Sequence, residues 1–119
     1  MYNDNGIKTF TAGEALERAR RVKLSSGYGD QVEYADGADD YIGVTLESVA
    51  SGDPVAVKLK RASQGTVEVE ASAAISAGDT IYGATDGKVS TSSTGTDKFG
   101  KALEAASGSG AIIEALMDD

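Results

Sequence analysis

The stretch TAGEALERARRVKL, Thr11–Leu24, can be read two ways, and the fold class turns on the choice. Thr11 and Glu14 have the spacing of a capping box. Ala12, Ala15, Leu16, Ala19 and Val22 share one face of a helix. Taken alone, this is the best helix in the chain. A later stretch argues the other way. ISAGDTI, Ile75–Ile81, lies over LERARRV, Leu16–Val22, and its Gly78-Asp79 reads as a turn before a strand. If the two are copies, Leu16–Val22 is also turn and then strand. Ala19 then stands where Gly78 stands, and a positive φ there costs an alanine about 1 kcal/mol. Both readings of residues 12–22 stay open on the residues alone, and the repeat favours turn-then-strand.

The repetition extends outward from that stretch. IGVTLESVASGD at Ile42–Asp53 is answered by FGKALEAASGSG at Phe99–Gly110, with Gly43 over Gly100, Leu46-Glu47 over Leu103-Glu104 and Ser51-Gly52 over Ser107-Gly108. Gln31-Val32 lies over Lys88-Val89. The last strands, near Val55–Leu59 and Ile112–Met117, correspond without a clear register. Two copies of one strand-turn-strand unit, about 14–60 and 73–119, joined through GTVEVEA, account for this economically. Half a barrel cannot bury its inner face alone, whereas two copies packed about a pseudo-twofold can. The paired glycines beside Leu-Glu are expected to mark bulges or a close backbone approach.

The rest of the chain agrees with short strands and tight turns. Val55, Val57 and Leu59 alternate with Ala56, Lys58 and Lys60, and Val67 and Val69 alternate with glutamates. Fifteen glycines and one proline suit many turns. The expectation is an all-β, compact barrel- or sandwich-like domain at 11–119 with at most one short helix. Residues 1–10, MYNDNGIKTF, show neither period and read as an extended N-terminal arm. Its larger side chains, Tyr2, Ile7 and Phe10, are candidates for binding a partner, by adding a strand to an exposed edge.

Composition narrows the chemistry. The 119 residues make one domain, with 40% hydrophobic residues but only 6% aromatic ones, so the core must be Val, Ile, Leu and Ala, and oligomerisation would add burial. The net charge of −8 argues against nucleic acid. No apolar run approaches a membrane helix and no signal-peptide pattern opens the chain, so synthesis in the cytoplasm is expected. There is no His and no Cys, which removes the commonest general base, the commonest metal ligand and thiolate chemistry. Ser25-Ser26-Gly27 and the serines of Ser90–Asp97 have no evident base beside them and read as solvated turns. The three carboxylates of Asp36-Gly37-Ala38-Asp39-Asp40 could attract a hard cation but lack the alternation of a calcium loop. Gly83–Gly87 is too short and acidic to cradle a phosphate. Arg18, Arg20, Arg21 and Lys23 form one basic run, and Lys58, Lys60 and Arg61 another. Each reads as a solvated face or as a rim for an acidic partner. No catalytic, cofactor or metal site assembles from these residues.

TAGEALERARRVKLSSG, YIGVTLESVASGDPVAVKL, TVEVEASAAISAGDTIYGATDGKVS and GKALEAASGSGAIIEALM resemble the tailed-phage capsid decoration, or cement, proteins of the small domain-of-unknown-function type. The likeness spans about Thr11 to Met117. Its most telling pieces are Ile42–Glu47, the turn Ile75–Asp79 with Tyr82, and Gly100–Glu104. Arg18-Ala19-Arg20 departs from the small, glycine-containing stretch usual there. The resemblance implies a β-rich, non-enzymatic virion protein on the exterior of the expanded phage head, clamping major capsid protein subunits. It implies a homotrimer, with a dimer as second choice, and no cofactor. A virion-surface module binding carbohydrate or a receptor is the alternative, and a small enzyme domain a third reading.

Overall fold

Short alternating runs punctuated by glycine turns fold into ten strands in the computed structural model, which describes residues 6–27, 29–60, 65–93 and 96–117. The first lobe holds β1 (Ile7–Ala12), β2 (Arg21–Leu24), β3 (Gln31–Tyr34), β4 (Gly43–Thr45) and β5 (Pro54–Leu59). The second holds β6 (Val67–Glu70), β7 (Thr80–Gly83), β8 (Val89–Ser90), β9 (Lys98–Ala102) and β10 (Ile112–Met117). Among the described residues the only helical element is a 3-10 turn at Thr85–Gly87. The protein is all-β, and Thr11–Leu24 is not a helix. It finishes β1, turns, and becomes β2.

The turn is made as the repeat requires. Ala19 has φ 64° and Gly78 φ 90°. Ala19 accepts that strain because both its backbone groups are tied. Its N–H donates to Thr45 O at 2.9 Å, and its carbonyl accepts from Glu70 N–H at 2.8 Å.

The two lobes repeat each other pair by pair. Val22 lies opposite Gly43, and Ile81 opposite Gly100; Leu24 lies opposite Val32, and Gly83 opposite Val89. Phe10 faces Val55 as Val69 faces Ile113, which fixes the register of the last strands. The isolated bridge Leu16–Val49 is matched by Ile75–Ala106, and the parallel pair Ala12–Val32 by Ala71–Val89. The first lobe is a closed barrel in the order β1-β3-β2-β4-β5. The second keeps that cyclic order, but only the Ala71–Val89 bridge spans the gap between β6 and β8.

Each repeat is therefore a barrel-like unit with its own core, not half of one shared barrel. The strand that makes this possible is β1, from within the segment read as an arm. It pairs with β5 over Ile7–Thr11 and with β3 at Thr11 and Ala12, so the repeat units start earlier than residues 14 and 73. The signal was weak because KTFTA offers only Phe10 and Ala12 as inward apolar positions. Residues 1–5 of the expected arm lie outside the described residues.

Phe10, Ala12, Leu16, Val22, Val32, Val55 and Val57 fill the first core. The second includes Val69, Ile75, Ile81, Val89, Phe99 and Ile113, and takes in Ala35, Tyr41 and Val44 from the first lobe. Each such Val, Ile or Phe contributes roughly 1.5–3 kcal/mol on burial. Tyr41 stacks on Phe99 with ring centroids 5.2 Å apart and donates a hydrogen bond to Phe99 O at 3.4 Å. The lobes present different surfaces at this seam. The first offers β2, β4 and the 35–41 loop. The second offers β6 and residues 83–88.

Candidate partner-binding surface

The basic run at Arg18–Lys23 is not one solvated face. Strand alternation sends Arg20 and Arg21 in different directions, and Arg21 is fully buried at the seam. Its guanidinium donates to four carbonyls: Lys88 O at 3.0 Å, Ala35 O at 3.0 Å, Asp36 O at 3.4 Å and Ala84 O at 2.6 Å. Burial lowers its pKa, opposed by the Tyr41 hydroxyl and then by the carboxylates of Asp97, Asp39 and Asp36. An arginine stays charged through such a shift, so the seam holds a permanent cation held by backbone dipoles. Gly83 is glycine for this reason: a Cβ there would sit 2.8 Å from the guanidinium carbon.

Arg20 closes the seam beside it. It makes a two-pronged pair with Glu70 at 3.1 and 3.2 Å and donates to Asp86 O at 3.0 Å. Lys88 reaches the same Glu70 carboxylate at 3.5 Å. Arg18 meets Glu68 at 3.3 Å at the exposed rim. These contacts use the first basic run to join the lobes and leave little of it to dock on an acidic partner. In the second run, Lys58 donates to Thr66 O and Lys60 pairs with Asp40 at 2.8 Å over the Tyr41 ring. Arg61 lies outside the described residues.

The acidic loop is likewise spent on structure. Asp39 accepts from the Asp36 N–H at 2.9 Å and pairs with Lys23 at 3.0 Å, while Asp36 accepts from the Asp86 N–H at 3.2 Å. The Asp36 N–H and then Lys23 hold the Asp39 carboxyl below its usual 3.8, and Asp39 in turn raises Lys23 above 10.5. Among the described residues no group of three or more acidic side chains is arranged to hold a metal ion.

The repeated Leu-Glu pair divides its labour. Glu47 accepts from the Ala56 N–H at 3.0 Å, and Glu104 from the Glu114 N–H at 2.7 Å, each carboxylate tying the turn to its lobe's last strand. The leucines point outward. Among the described residues the exposed large apolar side chains are Ile7, Leu24, Leu46, Leu103 and Leu116, each 41–42% exposed. Of the candidates from the sequence, Phe10 is core, Ile7 is outside on β1, and Tyr2 lies outside the described residues. The leucines were missed because Leu-Glu was read only as a repeat marker. A small cavity at the seam is lined by Ala19, Thr45, Leu46, Lys58, Thr66 and Glu68, among others.

The described residues form two barrel-like lobes joined across a buried arginine, with large apolar side chains exposed on their surfaces. A family model described as phage cement protein matches residues 2–117, and the chain belongs to that family, among the structural proteins of phage heads. No curated protein matches the sequence. In fold it is similar to the N base of the head fiber gp8.5 of bacteriophage phi29, with a TM-score of 0.77 and 21% identity. That match covers 94% of this chain and 92% of the other.

Proposed function

We propose that the protein binds the outer surface of the phage head and stabilises it by clamping neighbouring major capsid protein subunits, as a homotrimer with a dimer as second choice, and without catalysis. The family match over residues 2–117 carries this reading. The structure is compatible with it: the job asks for a stiff body and contact area, and many copies on one lattice gain from multivalency. Synthesis in the host cytoplasm and residence on the virion exterior go with it. Of the three candidate anchor residues, Phe10 is needed in the core, which leaves Tyr2 and the exposed Ile7 for a capsid contact.

Heads assembled with and without the protein test the proposal. The expected result is added density on the head exterior and a higher temperature of head disruption. Bound copies that leave that temperature unchanged would overturn the clamp, and absence of exterior density would overturn the head-binding reading. A chain lacking residues 1–5 should fold and compete poorly for heads; equal competition would remove Tyr2 as an anchor.

A further inference from the structure

Inside the chain, one surface of the first lobe seats on one surface of the second. Because every strand pairing is repeated, the counterpart of each surface can be located on the other lobe. Arg18, Leu46 and Lys58 face Thr66, Val67 and Glu68 across the seam. In the second lobe, Ala77, Leu103 and Leu116 hold the places of Arg18, Leu46 and Lys58. In the first lobe, Ile7, Lys8 and Thr9 hold the places of Thr66, Val67 and Glu68. Leu24 holds the place of Gly83, and Thr80 that of Arg21. Four of the five exposed large apolar side chains, Ile7, Leu24, Leu103 and Leu116, thus fall on these two counterpart surfaces.

We propose that a second copy of this chain docks there, the β9–β10 face of one copy seating on β1 and the end of β2 of the next, in continuation of the seam within the chain. The substitutions between the internal seam and its counterpart are complementary. Within the chain a large Arg21 lies against Gly83; between chains a small Thr80 would lie against Leu24. The Lys58–Thr66 contact becomes Leu116 against Ile7. The Arg18–Glu68 pair becomes Ala77 against Thr9, so both signs of charge are lost together. The internal seam is charged and bonded to backbone, whereas the counterpart is mainly apolar, with Lys8 in the place of Val67 and Asp79 in that of Arg20, much as a contact between separately folded bodies has an apolar centre and a polar rim. The two surfaces differ, so the contact is head-to-tail and closes a ring only if the rotation allows. Ile7, expected to reach a capsid subunit, is assigned here to a neighbouring copy.

The inference rests on the self-association clause of the proposed function and is tested without phage heads. The chain has no cysteine, so single cysteines report cleanly. Ile7→Cys protein mixed with Leu116→Cys protein should give covalent dimers with a short bismaleimide, and neither variant alone should. Leu116→Asp should convert the sedimenting oligomer to monomer with an unchanged circular dichroism spectrum and melting temperature, because the side chain is exposed. The double variant Ile7→Lys with Leu116→Asp should recover the oligomer at low salt. Cross-linking of either single variant with itself, an oligomer untouched by Leu116→Asp, or a wild-type monomer at every concentration would overturn the inference. Loss of head decoration with these results intact would count against the head-binding reading alone.

Discussion

The two lobes share every strand pairing and differ at the residue that matters most to their union. At the start of the second strand, the first lobe has Arg21, buried and bonded to four carbonyls. The second has Thr80 at the same register position, opposite Lys101 as Arg21 is opposite Val44. The shared pairings are set by glycines, inward Val and Ile, and glutamate ties. The seam is set by Arg18, Arg20 and Arg21, which only one copy carries. A duplicated unit can thus keep its fold while its copies divide the work, one gripping its sister and the other facing outward.

The largest test of that contrast removes the grip. Arg21→Ala should destabilise the protein by about 4 kcal/mol, since it removes four charge-assisted hydrogen bonds across the seam and leaves a hole there. Thr80→Ala should stay within about 0.5 kcal/mol. Urea denaturation of both reads the difference, and similar midpoints would dissolve it. Next come the paired glycines. A Cβ on Gly43 would run into the carbonyl oxygen of Lys58, a backbone atom with little freedom to move. Gly100 instead adjoins the irregular pairing where Ile81–Gly100 is followed by Tyr82–Lys98. Gly43→Val should cost about 3 kcal/mol and Gly100→Val about 1 kcal/mol, by the same denaturation.

The turn residues should respond in opposite senses. Ala19→Gly should gain about 1 kcal/mol and Gly78→Ala should lose about as much, because both positions hold a positive φ. A loss at Ala19 would show that its methyl group contributes more than its backbone strain costs. The smallest effect is one of pH and belongs to the first lobe's acidic loop. Asp39 titrates below 3.8 in the fold, so its carboxylate stabilises above that value and the contribution is lost as pH falls through the lower folded value. Lys23 titrates above 10.5, so its contribution is present below that value and lost as pH rises through the higher folded one. Asp39→Asn should therefore lower the melting temperature at neutral pH and flatten its fall in acid. An unchanged acid limb would assign that fall to other carboxylates.

What could be read from the sequence was whatever the repeat wrote twice. Leu16–Val22 resolved as turn and strand because Gly78 marks the turn in the other copy, even though Ala19 alone argued for a helix. Gly43 and Gly100 stood out for the same reason. What occurs once was illegible. Arg21 sits among Arg18, Arg20 and Lys23, and nothing in that run shows that strand alternation turns one of them inward. Phe10 was assigned to an arm because its counterpart, Val69, lies in the segment taken for a linker. The outward leucines were hidden because a leucine in a repeat suggests core, and exposure depends on which face the barrel closes around.

The position of Arg21 also bears on how the chain is made. All five strands of the first barrel lie within residues 7–59, so it can close once that much chain has left the ribosome. Closure brings together β1 and β5, the ends of that span, and waits for the last of it. At that moment two of the four guanidinium acceptors, the carbonyls of Ala84 and Lys88, have not yet emerged from the ribosome. The nascent lobe therefore exposes a hydrated arginine on its flank, beside Ala35, Tyr41 and Val44, the side chains the lobe will give to the second core. Docking of the second lobe strips that water away and completes the molecule.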